Sequence, residues 1–348
     1  MSKKLKYKIN SDISKARTLP SSYYTDENIF KDSIEKIFSS SWQFALNVDQ
    51  LNDDNIIPIN FLKGTLSEPL LLIKDKNKLK CISNVCTHRG HIICNKPKKG
   101  NSLTCRYHGR TFDLNGKVKK AIGFKGAKNF PSKEDNLQDI QTKEWKNFIF
   151  ISLGTKAKNL SALDDINNRL KNFPFDKIRY SKELSNCFNI NTHWAMYCEN
   201  YLEGFHVPFV HKGLSKEINN QTYKTQILKN GVLQYANNSD VKGKGLYAYY
   251  YWLFPNMMFN FYDWGLSINI VEPIAVDQTR VRFLTFPINS SKASAQSISN
   301  LICVEYEDQA VVESVCKGVK SRYYDSGRYA PNHESGVHYF HQLLSRFV

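Results

Sequence analysis

The 348-residue sequence holds no apolar run long enough to cross a bilayer. Its first residues, Met1-Ser-Lys-Lys-Leu-Lys-Tyr-Lys, are basic but have no apolar stretch behind them, as a secretory signal requires. Both absences lead to the expectation of a cytoplasmic protein with no membrane segment. Although the formal net charge is +16, no arginine-rich arm or basic helix gathers it. Scattered lysines argue against nucleic-acid binding and fit a solvated surface, or a face that steers an acidic redox partner. Cysteines number only eight. In a reducing compartment so few thiols point to metal binding rather than to a disulfide framework.

What the sequence does have is aromatic residues, nineteen Tyr and twenty-one Phe, and enough length for two domains. Residues up to about Arg17 read as a polar, mobile tail. Thr25-Asp26-Glu27 then caps an amphipathic helix whose Ile29, Phe30, Ile34, Ile37 and Phe38 share one face. From Trp42 the pattern turns to short strands: 42–48, 56–62, 69–73, 78–82, 110–114 and 147–153, with an Asn115-Gly116 turn. The polar bridge 154–159 marks a boundary. The expected division is 1–41 (tail and helix packing on the second domain), 42–154 (small, all-β) and 155–348. A helix over 161–173 and a strand over 180–189 follow. After them come the strands 221–228, 232–236, 246–254, 257–262, 266–273 and 279–287 of a sizeable antiparallel sheet. The fold class is α+β, with the sheet of the larger domain flanked by helices.

Two Cys-plus-His pairs lie in the all-β region, Cys86-Thr-His88-Arg-Gly90 and Cys105-Arg-Tyr-His108-Gly109, with sixteen residues between His88 and Cys105. A structural zinc site would usually have wider Cys–Cys spacing and a helix carrying the His pair. Here each inter-strand loop carries one thiol and one imidazole. That spacing matches a Rieske [2Fe–2S] signature, with two thiolates on one iron and two imidazoles on the other. The wording C-x-H-R-G and C-x-Y-H-G resembles the Rieske oxygenases, or ring-hydroxylating oxygenases. It lacks the extra cysteines of the respiratory proteins, whose places are taken by His91 and Tyr107. Arg110 stands where that family commonly has Trp, and is expected to change surface packing rather than ligation. Cys81 and Cys94 read as ordinary buried thiols.

A second concentration of chemistry is Glu199-Asn-Tyr-Leu-Glu203-Gly-Phe-His206-Val-Pro-Phe-Val-His211. Iron chemistry at a single metal needs neutral nitrogen ligands, an anionic oxygen and open positions. His211 lies five positions after His206, which turns them apart on a regular helix. Pro208 between them predicts a bend that brings the imidazoles together. The segment resembles the D/E-x-x-H-x-x-x-x-H motif of the Rieske oxygenase catalytic domain. The resemblance implies His206 and His211 as iron ligands and Glu203 as the carboxylate linking the iron site to a neighbouring subunit's cluster. It leaves Glu199 and Asn200 as supporting residues. For the anionic ligand, spacing leaves Glu305, Glu307, Asp308 and Glu313 open. The resemblance points to Asp308 and leaves the other three as solvated or salt-bridged helix acids. His338 and His341, near the C-terminus, read as packing or subunit-contact residues.

The same resemblance implies a terminal oxygenase using a [2Fe–2S] cluster, a mononuclear Fe(II), O2 and electrons from a ferredoxin or flavin reductase. It further implies a homotrimer in which electrons cross between subunits. Ten aromatics from Tyr247 to Trp264 fall on two strands, where they could line an apolar pocket or a cation–π cage, though sheet core suits most of them. The Asn-Tyr-Leu-Glu-Gly-Phe-His wording, with Glu203, is similar to the choline monooxygenase and betaine demethylase branch. It implies hydroxylation or oxidative N-demethylation of a small quaternary ammonium compound. Hydroxylation of an aromatic ring or aromatic acid is the alternative among enzymes. A Rieske electron carrier without oxygenase activity is the alternative outside them.

Overall fold

A computed structural model describes residues 7–51, 53–75, 78–155, 157, 160–212, 223–236, 248–288 and 295–347, with backbone only over 295–300. It forms two compact units, one of Met1–Phe38 with Lys158–Val348 and one of Ser39–Ala157.

In the first unit, the Asp26 carboxylate accepts from the backbone N–H of Asn28 (2.8 Å) and Ile29 (3.4 Å), which is why the helix begins there. The element is divided into α1 (Ser21–Thr25) and α2 (Glu27–Ser33), the latter continued by a π-type turn over Ile34–Phe38. Its expected apolar face is buried throughout. Residues 7–17 do not form the expected mobile tail. Ala16 is buried, Arg17 bridges to Arg328, and its Nε donates to Ser326 Oγ at 2.9 Å. The Asn10 carbonyl accepts from the His338 ring at 2.7 Å. Most of these ties run through backbone atoms, which leave no mark in side-chain polarity.

The Ser39–Ala157 unit is a six-stranded antiparallel sheet plus a three-stranded one. Its strands are β1 (Gln43–Asn47), β2 (Ile56–Phe61), β3 (Glu68–Asp75), β4 (Lys78–Ser83), β5 (Leu103–Thr104), β6 (Thr111–Phe112), β7 (Val118–Lys120), β8 (Asp139–Trp145) and β9 (Phe148–Ser152). The larger sheet runs β1-β9-β8-β4-β3-β2, the smaller β5-β6-β7. Strand β8 has no clean apolar alternation, yet pairs with both β9 and β4. Alternation along β3 splits the core. Leu71 and Ile73 pack with Ile82, Leu103, Phe112 and the thiols Cys86 and Cys105. Leu70 and Leu72 pack on the opposite side with Ile149 and Ile151. The cysteines of both motif loops therefore belong to a hydrophobic core.

The first unit resumes with α3 (Ala162–Arg169), β10 (Ser181–Ile190), α4 (Trp194–Tyr201) and α5 (Val207–Val210). Strands β11 (Tyr223–Leu228), β12 (Gly231–Ala236), β13 (Tyr249–Leu253), β14 (Met257–Tyr262), β15 (Gly265–Ala275) and β16 (Gln278–Pro287) form a meander. The sheet order is β10-β16-β15-β14-β13-β12-β11, all antiparallel. The long helix α6 (Ala295–Gly318) and α7 (Ser335–Leu344) complete the unit. Residues 221–222 and 246–247, expected at strand starts and including Tyr247, lie outside the described residues. Of the aromatic tract, Tyr251, Trp252, Phe254, Phe259, Phe261, Tyr262 and Trp264 are buried, as sheet core requires. Where α7 passes the end of α4, a Cβ at Gly336 would collide with the Leu202 carbonyl, so this crossing needs glycine.

Candidate metal centres

The two Cys-plus-His loops are conformational copies of each other. In one, Cys86 N–H donates to the His91 carbonyl and Gly90 N–H to the Cys86 carbonyl, both at 2.9 Å. In the other, Cys105 N–H donates to Arg110 (2.9 Å) and Gly109 N–H to Cys105 (3.0 Å). Gly90 and Gly109 both have φ of +70°, which a β-carbon would strain, so the glycine after each His is a requirement of the turn. Both thiols are 2% exposed, whereas His88 is half-buried and His108 exposed, with ring centroids 4.7 Å apart. Two buried sulfurs and two imidazoles nearer solvent are the donor set that a [2Fe–2S] cluster with one His-ligated iron needs. His91 and Tyr107 stand side by side, ring centroids 6.0 Å apart.

Arg110 is not a surface-packing residue. It is 2% exposed, its Nη1 donates to Thr87 Oγ1 at 3.1 Å, and Asp135 lies 3.6 Å away. Its guanidinium lies over Phe124 and Phe130, 4.6 and 5.0 Å from their centroids. Thr87 lies between Cys86 and His88, so Arg110 ties one ligand loop to the other. Planarity, ring stacking and a fork of donors let Arg occupy a site where an aromatic ring also fits.

In the other unit, helix α4 ends at Tyr201, before the first imidazole. The Glu203 carboxylate then holds the turn, accepting from the backbone N–H of Phe205 and from that of His206 at 3.0 Å. Pro208 falls in the first turn of α5, where its missing N–H costs nothing. The expected proline bend is therefore absent. The two imidazoles meet because the chain breaks at 202–206, leaving His206 at the N-cap and His211 at the C-cap of one short turn.

Both imidazoles stand between carboxylates. Glu203 Oε1 is 2.5 Å from His206 Nδ1, and Glu307 Oε2 is 2.7 Å from His211 Nδ1. Their Nε2 atoms face the same Asp308 Oδ1, at 3.5 and 3.0 Å. His206, His211 and Asp308 each offer one ligand atom within 4.8 Å of the others. If Nδ1–H donates to the outer carboxylate, a neutral imidazole presents a lone pair at Nε2 to another acceptor, which repels it. A second proton or a metal ion resolves that conflict. Burial opposes protonation of His211, but Asp308 and Glu307 outweigh it and hold the ring above its ordinary pKa. A divalent cation fits this donor set, with Glu203 and Glu307 fixing the two rings from behind.

The remaining acids divide. Glu307, read from sequence as a solvated or salt-bridged helix acid, is half-exposed and paired with His211, whose ring it orients. Glu305 is instead 4% exposed and bonded to Tyr197 and Gln309. Glu313 accepts from Asn191 N and Nδ2 at 2.9 and 3.0 Å. Glu199 faces away from this cluster, accepting from Tyr24 Oη at 2.8 Å and lying 3.0 Å from His341 Nε2. His341 is fully buried and 2.6 Å from Tyr329 Oη, and His338 packs on Tyr329, so both serve packing. The α-helical period marks which acids of α6 share a face, but not which face meets the imidazoles. That is why the role of Glu307 is invisible in sequence.

The family model for the ring hydroxylating alpha subunit (catalytic domain) matches residues 175–348, and that for the Rieske [2Fe-2S] domain matches 41–131. The chain belongs to the ring-hydroxylating alpha subunit family. Choline monooxygenase of Arabidopsis thaliana is 29% identical, over 95% of this chain and 83% of that protein. The oxygenase subunit of carnitine monooxygenase from Escherichia coli K12 is 27% identical, over 95% and 94%. The fold is shared with the quaternary ammonium Rieske monooxygenase CntA in complex with L-carnitine (TM-score 0.77, 24% identity, 97% of both chains). It is shared too with naphthalene 1,2-dioxygenase (TM-score 0.70, 14% identity, 95% and 92%). This ring-hydroxylating subunit is thus a Rieske non-haem iron oxygenase, with a [2Fe–2S] cluster and a mononuclear iron as cofactors. Oxygenases of the family use a reductase or ferredoxin, a substrate and O2. Among the described residues no helix is long and apolar enough to cross a membrane.

Proposed function

We propose that Cys86, His88, Cys105 and His108 hold the [2Fe–2S] cluster and that His206, His211 and Asp308 hold the mononuclear iron. Glu203 then serves as the relay between the two centres, reaching a cluster on a neighbouring subunit of a homotrimer. The reaction is hydroxylation or oxidative N-demethylation of a small quaternary ammonium compound, driven by a ferredoxin or flavin reductase in the cytoplasm.

The observation that carries the reading is the convergence of two Nε2 atoms on Asp308 while carboxylates occupy both Nδ1 positions. Two imidazoles and one carboxylate are the donor set of non-haem iron oxygenases, which leaves positions open on the metal. When bound, the iron supplies the activation of O2 for attack on a C–H bond. Glu203 and Glu307 accept from each Nδ1–H, which sets the tautomer and aims Nε2 inward. Glu203 lies hydrogen-bonded to His206, the position a relay from outside the site needs. The substrate class rests on the relatives, which act on choline and carnitine.

Purified protein holding both iron centres, with a compatible reductase and O2, tests this directly. Formaldehyde released from a betaine, or an oxygenated choline-type product identified by mass spectrometry, is expected. A phenol or cis-diol from an aromatic acid, with no turnover of quaternary ammonium compounds, contradicts the substrate class.

A further inference from the structure

Arg110 directly follows Gly109, and its carbonyl accepts from the N–H of Cys105 at 2.9 Å. Its side chain reaches the other candidate cluster loop. Nη1 donates to Thr87 Oγ1 at 3.1 Å, and that hydroxyl in turn donates to the Asp135 carbonyl at 2.6 Å. The guanidinium also lies 4.6 Å from the centroid of Phe124, whose ring stands 5.2 Å from that of His88. One cation thus touches both loops and the aromatic ring beside a candidate ligand.

Its charge is only partly matched. Asp135 Oδ1 is 3.6 Å from Nη1, but that carboxylate is half-buried and also accepts from Ser132 N–H and Oγ, at 2.8 and 3.1 Å. The Arg110 Nε–H has no hydrogen-bond partner among the described residues. Arg89 and Arg106, the other arginines of the two loops, are exposed, where water and salt screen them. Arg110 is buried and screened far less, and a guanidinium does not give up its proton to escape burial.

We propose that Arg110 raises the reduction potential of the [2Fe–2S] cluster through the field of a buried, permanent charge. This rests on the cluster ligands proposed above. One electron from the reductase leaves the cluster one unit more negative, and a fixed cation nearby favours that reduced form. An indole in the same place would fill it without charge. A higher potential eases electron uptake from the donor and lessens the drive onward to the mononuclear iron.

Redox titration of the purified protein, followed by cluster absorption and electron paramagnetic resonance, tests this without turnover. Arg110→Gln keeps a donor for Thr87 but removes the charge. It should make reduction about tenfold less favourable, or ~59 mV lower for one electron. Arg110→Lys keeps the charge and should stay within about twofold of wild type. Asp135→Asn removes the opposing charge and should ease reduction by about twofold, the smaller effect of a partly screened group. Equal potentials for wild type and Arg110→Gln overturn the proposal while the ligand assignment stands. So does an equal fall in Arg110→Gln and Arg110→Lys, which is what a purely structural role predicts. If Arg110→Gln holds no cluster, Asp135→Asn decides, and a potential at or below wild type overturns the proposal. Wild-type protein with bound iron but no Rieske-type resonance would overturn the ligand assignment itself.

Discussion

In the Ser39–Ala157 unit the four candidate cluster ligands come from two loops that repeat the same hydrogen bonds and the same left-handed glycine. In the other unit the three candidate iron ligands come from a six-residue turn and a helix almost a hundred residues further on. The electrostatics differ as well. Around the cluster loops the donors that would become anionic on binding iron are the two buried cysteine sulfurs, and a buried Arg110 stands close by. Around the two imidazoles stand three carboxylates, Glu203, Glu307 and Asp308. One centre is a local motif that carries its own geometry. The other is assembled by tertiary packing, and its charge must be matched by what binds there.

The contrast is tested most severely at a thiol. Cys105→Ser should abolish the visible absorption of the cluster, because a buried hydroxyl does not replace a thiolate on Fe–S iron. Metal analysis should still find the mononuclear iron. Loss of both metals together would show that the centres are not built independently.

A smaller effect is expected at Glu305, whose folded pKa of about 7 lies above its ordinary value of 4.5. A raised acid pKa means that the unfolded chain releases its proton first. The Glu305 contribution to stability is therefore fully present below pH 4.5 and is lost as pH rises through 7. Glu305→Gln should stabilise the ligand-free protein at pH 8 by on the order of 3 kcal/mol, from the size of that shift. The gain should vanish toward pH 4.5. Denaturant unfolding at the two pH values measures it, and an equal gain at both would mean that charge burial is not its source.

Smaller again is the effect of the residue behind His211. Glu307→Gln keeps the side-chain shape but weakens the acceptor at Nδ1, and should lower iron affinity about 10- to 100-fold. Chelator competition on the ferrous protein reads this. Unchanged affinity would reduce Glu307 to a surface acid.

The contrast between the centres also explains what could be read from sequence. Contiguous candidate ligands in Cys86–Gly90 and Cys105–Gly109 suggest their chemistry, since the turn, its glycine and the donors are written together. The helix capped by Asp26 and the strands β1 to β4 are equally legible from local period and capping. Strand β8 is not, because its place between β9 and β4 depends on sheet pairing rather than on its own pattern. Pro208 suggested a bend, but Glu203 capping and the break after Leu202 set the geometry, and both involve backbone atoms. The four acids of α6 look alike in sequence. Only packing assigns Glu305 to Tyr197 and Gln309, Glu307 to His211, Asp308 to both imidazoles and Glu313 to Asn191. Arg110 differs again. Its burial follows from Phe124, Phe130 and Asp135, on a loop remote in sequence.

The central claim is that His206, His211 and Asp308 form an iron site separate from the cluster. Iron content, cluster absorption and oxygenated product, measured together on His206→Ala, test it most directly. The claim predicts unchanged cluster absorption, a loss of about one iron per chain and no oxygenated product, given the three-ligand site. Full iron content with wild-type product formation would contradict it.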